Sequence, residues 1–161
     1  MRRTALIVCL AALPLGFATA ASAATTNLEA TFTQIYSTST CQFPVVVCGS
    51  GTVAGFGRAT STVLNTSIAP IPGSQCFAVT AVRTITLDSG SGSLTLPENG
   101  TLCPPNPAAS NAPGNPFTAR VSYTVASGTG VFAGAAGGGT DLTRSAGNSQ
   151  VSVISGTLTV P

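Results

Sequence analysis

Residues 76 to 103 read CFAVTAVRTITLDSGSGSLTLPENGTLC. Phe77, Val79, Ala81, Ile85 and Leu87 fall on one face of an extended chain, and Ala78, Thr80, Thr84 and Thr86 on the other. That two-residue period is the mark of a half-buried strand. D-S-G-S-G-S then interrupts the pattern before Leu94, Leu96 and Leu102, so the stretch predicts a β-hairpin. Setting Leu87 opposite Leu94 places Ile85 against Leu96 and Arg83 against Glu98, with both charges on the apolar face. In that register Cys76 and Cys103 lie on the other face, two residues off direct opposition, and a bulge near Pro97 would bring them together. A bond between them would clamp the open end of the hairpin, worth roughly 3 to 4 kcal/mol in the chain-entropy model.

The same alternation recurs on both sides of the hairpin. Upstream, Asn27 to Ser37 sets Leu28, Ala30, Phe32 and Tyr36 against Glu29, Thr31, Thr33 and Ser37, with Gln34 and Ile35 breaking the pattern. A loop from Thr38 to Gly49 carries Cys41 and Cys48 around apolar residues that need pinning. Gly51 to Ile68 reads as two strands, or as one with a bulge near Gly57, and Ala69 to Ser74 as a turn. Downstream, Pro104 to Pro116 holds five prolines and reads as a surface loop and a plausible lid or edge cover. Phe117, Ala119, Val121, Tyr123 and Val125 then alternate with Thr118, Arg120, Ser122 and Thr124. Thr140 to Ala146 and Val151 to Val160 complete the set, the last with a bulge expected at Val153 and Ile154 or at Gly156. About eight short antiparallel strands and no helical period indicate an all-β barrel or sandwich.

Between the last three strands, Ser127 to Thr140 reads SGTGVFAGAAGGGT, with six of the chain's eighteen glycines and one large aromatic. Gly128, Gly130 and Gly134 permit a tight turn and close backbone approach, and Phe132 gives that turn something to bury. The longer segment Tyr123 to Gly139 resembles the G-T-G-x-F-x-G-A-x-G stretch of the allene oxide cyclase-like and dirigent-like β-barrels, most closely the small secreted actinobacterial members. The resemblance implies an eight-stranded antiparallel barrel with an interior cavity, used in plant relatives to hold a reactive intermediate while it cyclises or couples. Outside the turn, no motif aligns the catalytic residues of those enzymes onto this chain, and fold alone does not assign an activity.

The start of the chain reads as an export signal. Arg2 and Arg3, a mostly apolar run from Thr4 to Phe17 and the small residues Ala21, Ser22 and Ala23 form a leader over residues 1 to 23, leaving 24 to 161 as one domain. The twin arginine is a weak pointer to the Tat route. Pro14 and Gly16 interrupt the run, which is too short for a membrane span of ~20 residues, and Cys9 sits too early for lipid attachment. Past the leader, four arginines face four carboxylates, with no lysine or histidine. That composition offers no footprint for nucleic acid or anionic membrane. Four cysteines remain, and in a secreted protein they read as two disulfides; of three pairings, Cys41–Cys48 and Cys76–Cys103 are favoured. Oligomeric state is not legible.

Chemistry is sparse. Gly128 to Ala133 spells G-x-G-x-x-A, but no helix follows and Asp141 comes too soon for a ribose-binding acid, so no dinucleotide is expected. The missing histidine and lysine exclude Ser-His-Asp, Cys-His and Ser-Lys nucleophiles, and no metal or cofactor is expected. Arg83 and Glu98 remain, more often a structural pair than a site, together with Tyr36 and Tyr123 as inward hydroxyls. These four form the expected ligand pocket, with Arg83 and Glu98 as the weak catalytic candidates. Asn65 and Asn99 begin glycosylation sequons, and the bacterial-looking leader argues against their use. Three functions stay open: a barrel binding a small apolar molecule, an enzyme steering cyclisation or coupling, and an inert structural or envelope-associated protein.

Overall fold

Alternating Thr and aliphatic residues give nine strands in the computed structural model, which describes residues 23–42, 44–105 and 116–161. They are β1 (Ala24–Tyr36), β2 (Val47–Val53), β3 (Gly57–Pro70), β4 (Phe77–Leu87), β5 (Gly92–Cys103), β6 (Phe117–Thr124), β7 (Ser127–Gly130), β8 (Ala136–Ala146) and β9 (Ser149–Val160). No helix occurs among the described residues. All but the last residue of the expected leader lies outside them, as do residues 106–115 of the proline-rich loop.

The hydrogen-bonded order β4-β3-β2-β1-β9-β8-β6-β5 is closed by pairing of β4 with β5, making an eight-stranded antiparallel barrel. β7 is an extra short strand. It pairs with Gly92 to Thr95 at the start of β5, while β6 pairs with Glu98 to Cys103 further along. Gly51 to Ile68 is thus two strands joined by a turn at residues 54–56, and the irregularity in β3 lies between Asn65 and Ser67.

The two ends of the barrel differ. One is sealed by apolar packing: Leu28, Phe32, Ile85, Leu94, Leu96, Phe132, Ile154 and Leu158 have no exposed surface. Burial of each such side chain stabilises by about 1.5 to 3 kcal/mol, so this end carries most of the hydrophobic stabilisation. The glycine turn is its plug. Gly130 adopts φ 58°, and a Cβ there would lie 1.8 Å from the Ser91 carbonyl oxygen; at Gly128 it would lie 2.0 Å from that of Phe132. Only the missing side chains let the turn fold Phe132 inward, where its ring meets Phe56 at 4.7 Å. Gly134 also takes positive φ.

The opposite end, the mouth, is held covalently. Cys41–Cys48 closes the β1–β2 loop, and Cys76–Cys103 joins the start of β4 to the end of β5. Among the described residues, a small cluster of Val47, Val63 and Ala81 packs there, with Tyr36 and Val46 against it.

Four expectations need correction. Ile85, not Leu87, pairs with Leu94, so Arg83 faces Leu96 and Glu98 faces Ala81. The two-residue slip continues to place Cys76 directly opposite Cys103, and the disulfide forms without a bulge at Pro97. In β9 no bulge occurs: pairing with β1 and β8 is continuous, Gln150, Ser152, Ile154 and Leu158 all point inward, and Val151 and Val153 stay 44% and 43% exposed. Gln34 likewise does not interrupt β1, whose inward face runs Leu28, Ala30, Phe32, Gln34. Polar residues mark the interior at these positions because the barrel has a polar layer.

Loop length orders the two staples. Cys76 and Cys103 are 27 residues apart and Cys41 and Cys48 seven, so removing each pair by serine substitution should cost about 3.5 and about 2.4 kcal/mol respectively. Urea unfolding of the two double variants measures this, and the reverse order would show that loop closure is not how they stabilise.

Candidate functional site

Eight buried polar side chains from six strands meet between the apolar plug and the mouth: Gln34, Ser61, Arg83, Glu98, Asp141, Thr143, Gln150 and Ser152. Each occupies an inward position of its strand, so the alternation that buries aliphatic residues below also buries these.

Arg83 ties the layer together. Its Nε donates to Glu98 Oε1 at 2.6 Å, Nη1 donates to Ser61 Oγ at 3.0 Å, and Nη2 donates to Asp141 Oδ2. Cross-strand opposition is not what joins Arg83 to Glu98; the long arginine side chain reaches it on the diagonal. Asp141 further accepts from Ser152 Oγ at 2.7 Å and from Thr143 Oγ1 at 3.1 Å. Ser61 Oγ accepts a second bond from Gln34 Nε2 at 3.1 Å, and Gln34 Oε1 accepts from Gln150 Nε2 at 3.4 Å. One hydrogen-bonded network therefore crosses the barrel.

The charges do not balance. Arg83 is the single cation in the layer against two carboxylates. Burial pushes the Glu98 carboxyl above its usual range; Arg83 opposes this, and the nearby Asp141 charge adds to it.

Above the layer lies a cavity of about 60 Å³. Its lining combines Arg83, Glu98, Asp141, Thr143 and Gln150 with Val63, Val79, Leu102, Phe117, Ala119 and Val121. The structure thus brings Arg83 and Glu98 to a cavity wall but not the two tyrosines. Tyr36 sits in the apolar cluster at the mouth. Tyr123 lies in the main core, with its hydroxyl over the Gly139 and Gly156 pair, where a Cβ would approach it to 2.7 and 2.5 Å. That hydroxyl has no hydrogen-bond partner, and burial, with the Glu29, Asp141 and Glu98 charges, pushes its pKa to about 12.

Sequence reasoning missed Asp141 and its neutral partners. A signal existed: pairing across the glycine turn sets Val121 opposite Asp141 and Tyr123 opposite Gly139, so Asp141 shares the face of two residues already expected inside. Gln34, Ser61, Gln150 and Ser152 gave no such signal, since a lone hydroxyl or amide in a strand reads as solvent-facing. Among the described residues no cluster of His, Cys, Asp and Glu has the arrangement to hold a metal ion, and no helix is long and apolar enough to cross a membrane.

Comparison of the chain with protein-family models, curated proteins and solved structures returns no match.

Two outcomes follow from the geometry. Glu98 has a raised pKa in the folded barrel, so its contribution to stability is fully present below the ordinary glutamate pKa and is lost as pH rises through the raised value. Relative to wild type, Glu98→Gln should therefore become progressively more stable as pH rises through that window, measured by urea unfolding across pH; a flat difference would contradict the shift. Tyr123→Phe removes a buried hydroxyl without a partner and should raise stability by about 1 kcal/mol. A loss of similar size would mean that the hydroxyl is satisfied through water.

Proposed function

We propose that this protein is an exported, disulfide-stapled barrel that holds a small molecule at its mouth, the ligand's polar head on the charged layer and its apolar body against the wall above. The observation that carries this is the mixed lining of the cavity, where Arg83, Glu98 and Asp141 stand beside aliphatic and aromatic side chains. Two disulfides beside the mouth keep that wall in place and suit an oxidising compartment. The leader expected over residues 1 to 23 supports export. The resemblance of the glycine turn to cyclase-like and dirigent-like barrels supports the same kind of interior.

Volume limits the ligand. About 60 Å³ is the liquid volume of about two waters, so the cavity takes a head group while the body lies toward Leu102 and Phe117. Drug-sized sites run to ~300 Å³ or more, so a reaction that encloses a whole substrate for cyclisation lacks room within this cavity. One observation favours the inert structural reading instead: the sealed end is packed solid, as small barrels often are.

Ligand-observed NMR with short-chain fragments carrying polar heads separates the two. Wild type should show saturation transfer to some of them, and Ala119→Phe, which fills the cavity wall, should abolish it with melting nearly unchanged. Absence of any binder, or binding untouched by Ala119→Phe, would leave the structural reading.

A further inference from the structure

Resting on the mouth-pocket reading, we infer that the ligand's head is cationic, a protonated primary amine carried on a short apolar body. The cavity floor has two carboxylates, Glu98 and Asp141, against one guanidinium. Asp141 is fully engaged by Arg83, Thr143 and Ser152. Among the described residues, Glu98 accepts only through Oε1, from Arg83 Nε, and its second oxygen has no donor. Among the described residues, the Tyr123 hydroxyl is the one buried polar side-chain atom without a partner, and Glu98 lines the cavity, so its second oxygen borders that space. A donor with a positive charge therefore fits the cavity twice over: it supplies the missing hydrogen bond and cancels the excess negative charge. An anionic head meets two carboxylates, and an alcohol supplies the bond without the charge.

The remaining neighbours do not compensate. Facing Glu98 are Arg83 from β4, Asp141 from β8 and Tyr123 from β6, with the neutral Ser61, Gln34 and Gln150 from β3, β1 and β9. No lysine or histidine exists in the chain, and Arg58, Arg120 and Arg144 are exposed on the outer face. The raised pKa of Glu98 agrees, because an uncompensated charge takes up a proton instead. Amine binding then displaces that proton. An alkylamine stays protonated well above neutrality, like lysine, so its affinity should strengthen as pH rises from the ordinary glutamate range through the raised value.

The test is amide-shift NMR titration of the full barrel with propylamine, 1-propanol and propionate, which share one body and differ in head. Propylammonium should bind at least about tenfold more tightly than 1-propanol, with shifts centred on Glu98, Val121 and Asp141, and more tightly at higher pH. Glu98→Gln should erase the preference for the amine while keeping the dispersed spectrum of a folded barrel; should that variant not fold, the wild-type pH trend decides. Propionate or 1-propanol binding as well as the amine would overturn the cationic head and leave the mouth pocket standing. Equal shifts with sodium chloride would overturn it in favour of an inorganic ion. No response to any of the three would overturn both readings.

Discussion

Among the described residues, the guanidinium of Arg83 is the one positive charge inside the barrel, and the polar half of the structure is arranged about it. Its three bonds reach β5, β3 and β8, elements that are not all neighbours in the sheet, so it braces the cross-section as backbone pairing cannot. The buried hydroxyls follow from that position. Asp141 would be costly without Arg83, and Thr143 and Ser152 occupy the acceptor sites that the guanidinium leaves open. Buried carboxylates need this kind of full satisfaction, because loss of one partner leaves a charge stranded at a cost of about 3 to 5 kcal/mol.

Closure around a polar layer explains the contrast between the ends. Below the layer, glycines allow close backbone approach, so Phe132 and the aliphatic side chains can fill the barrel. Above it, few large apolar side chains remain to pack, and the covalent bonds take over that role. Both disulfides lie at the mouth, where hydrophobic burial is least. The division also leaves the space above Glu98 and Asp141 held by a rigid rim instead of being collapsed by side chains.

How much of this was legible depended on which constraint was used. Strand number, the two disulfides and the inward setting of Arg83 and Glu98 follow from alternation and cysteine spacing. The hairpin register did not, because aligning Leu87 with Leu94 treated a choice between equivalent apolar pairs as decisive. Shifts of two residues keep every side chain on its face, so the hydrophobic pattern cannot tell them apart. Direct opposition of Cys76 and Cys103 can, and it selects the observed register. The errors at Gln34 and in β9 share another cause. The assumption that polar means outward fails wherever the interior holds charge, and at Val151 and Val153 it reversed the face outright.

Stability alone does not call for such a layer. Replacing a buried ion triad by well-packed apolar residues is often neutral or stabilising, and the plug shows that this chain packs apolar residues tightly in the same barrel. The layer borders the cavity, and one of its two acids, Glu98, lines it with a single oxygen engaged among the described residues. A purely architectural network would be expected to close on itself, as it does around Asp141. At Glu98, among the described residues, it does not close, and that asymmetry is the reason the proposed ligand is assigned to the cavity and not to the plug or the outer threonine faces.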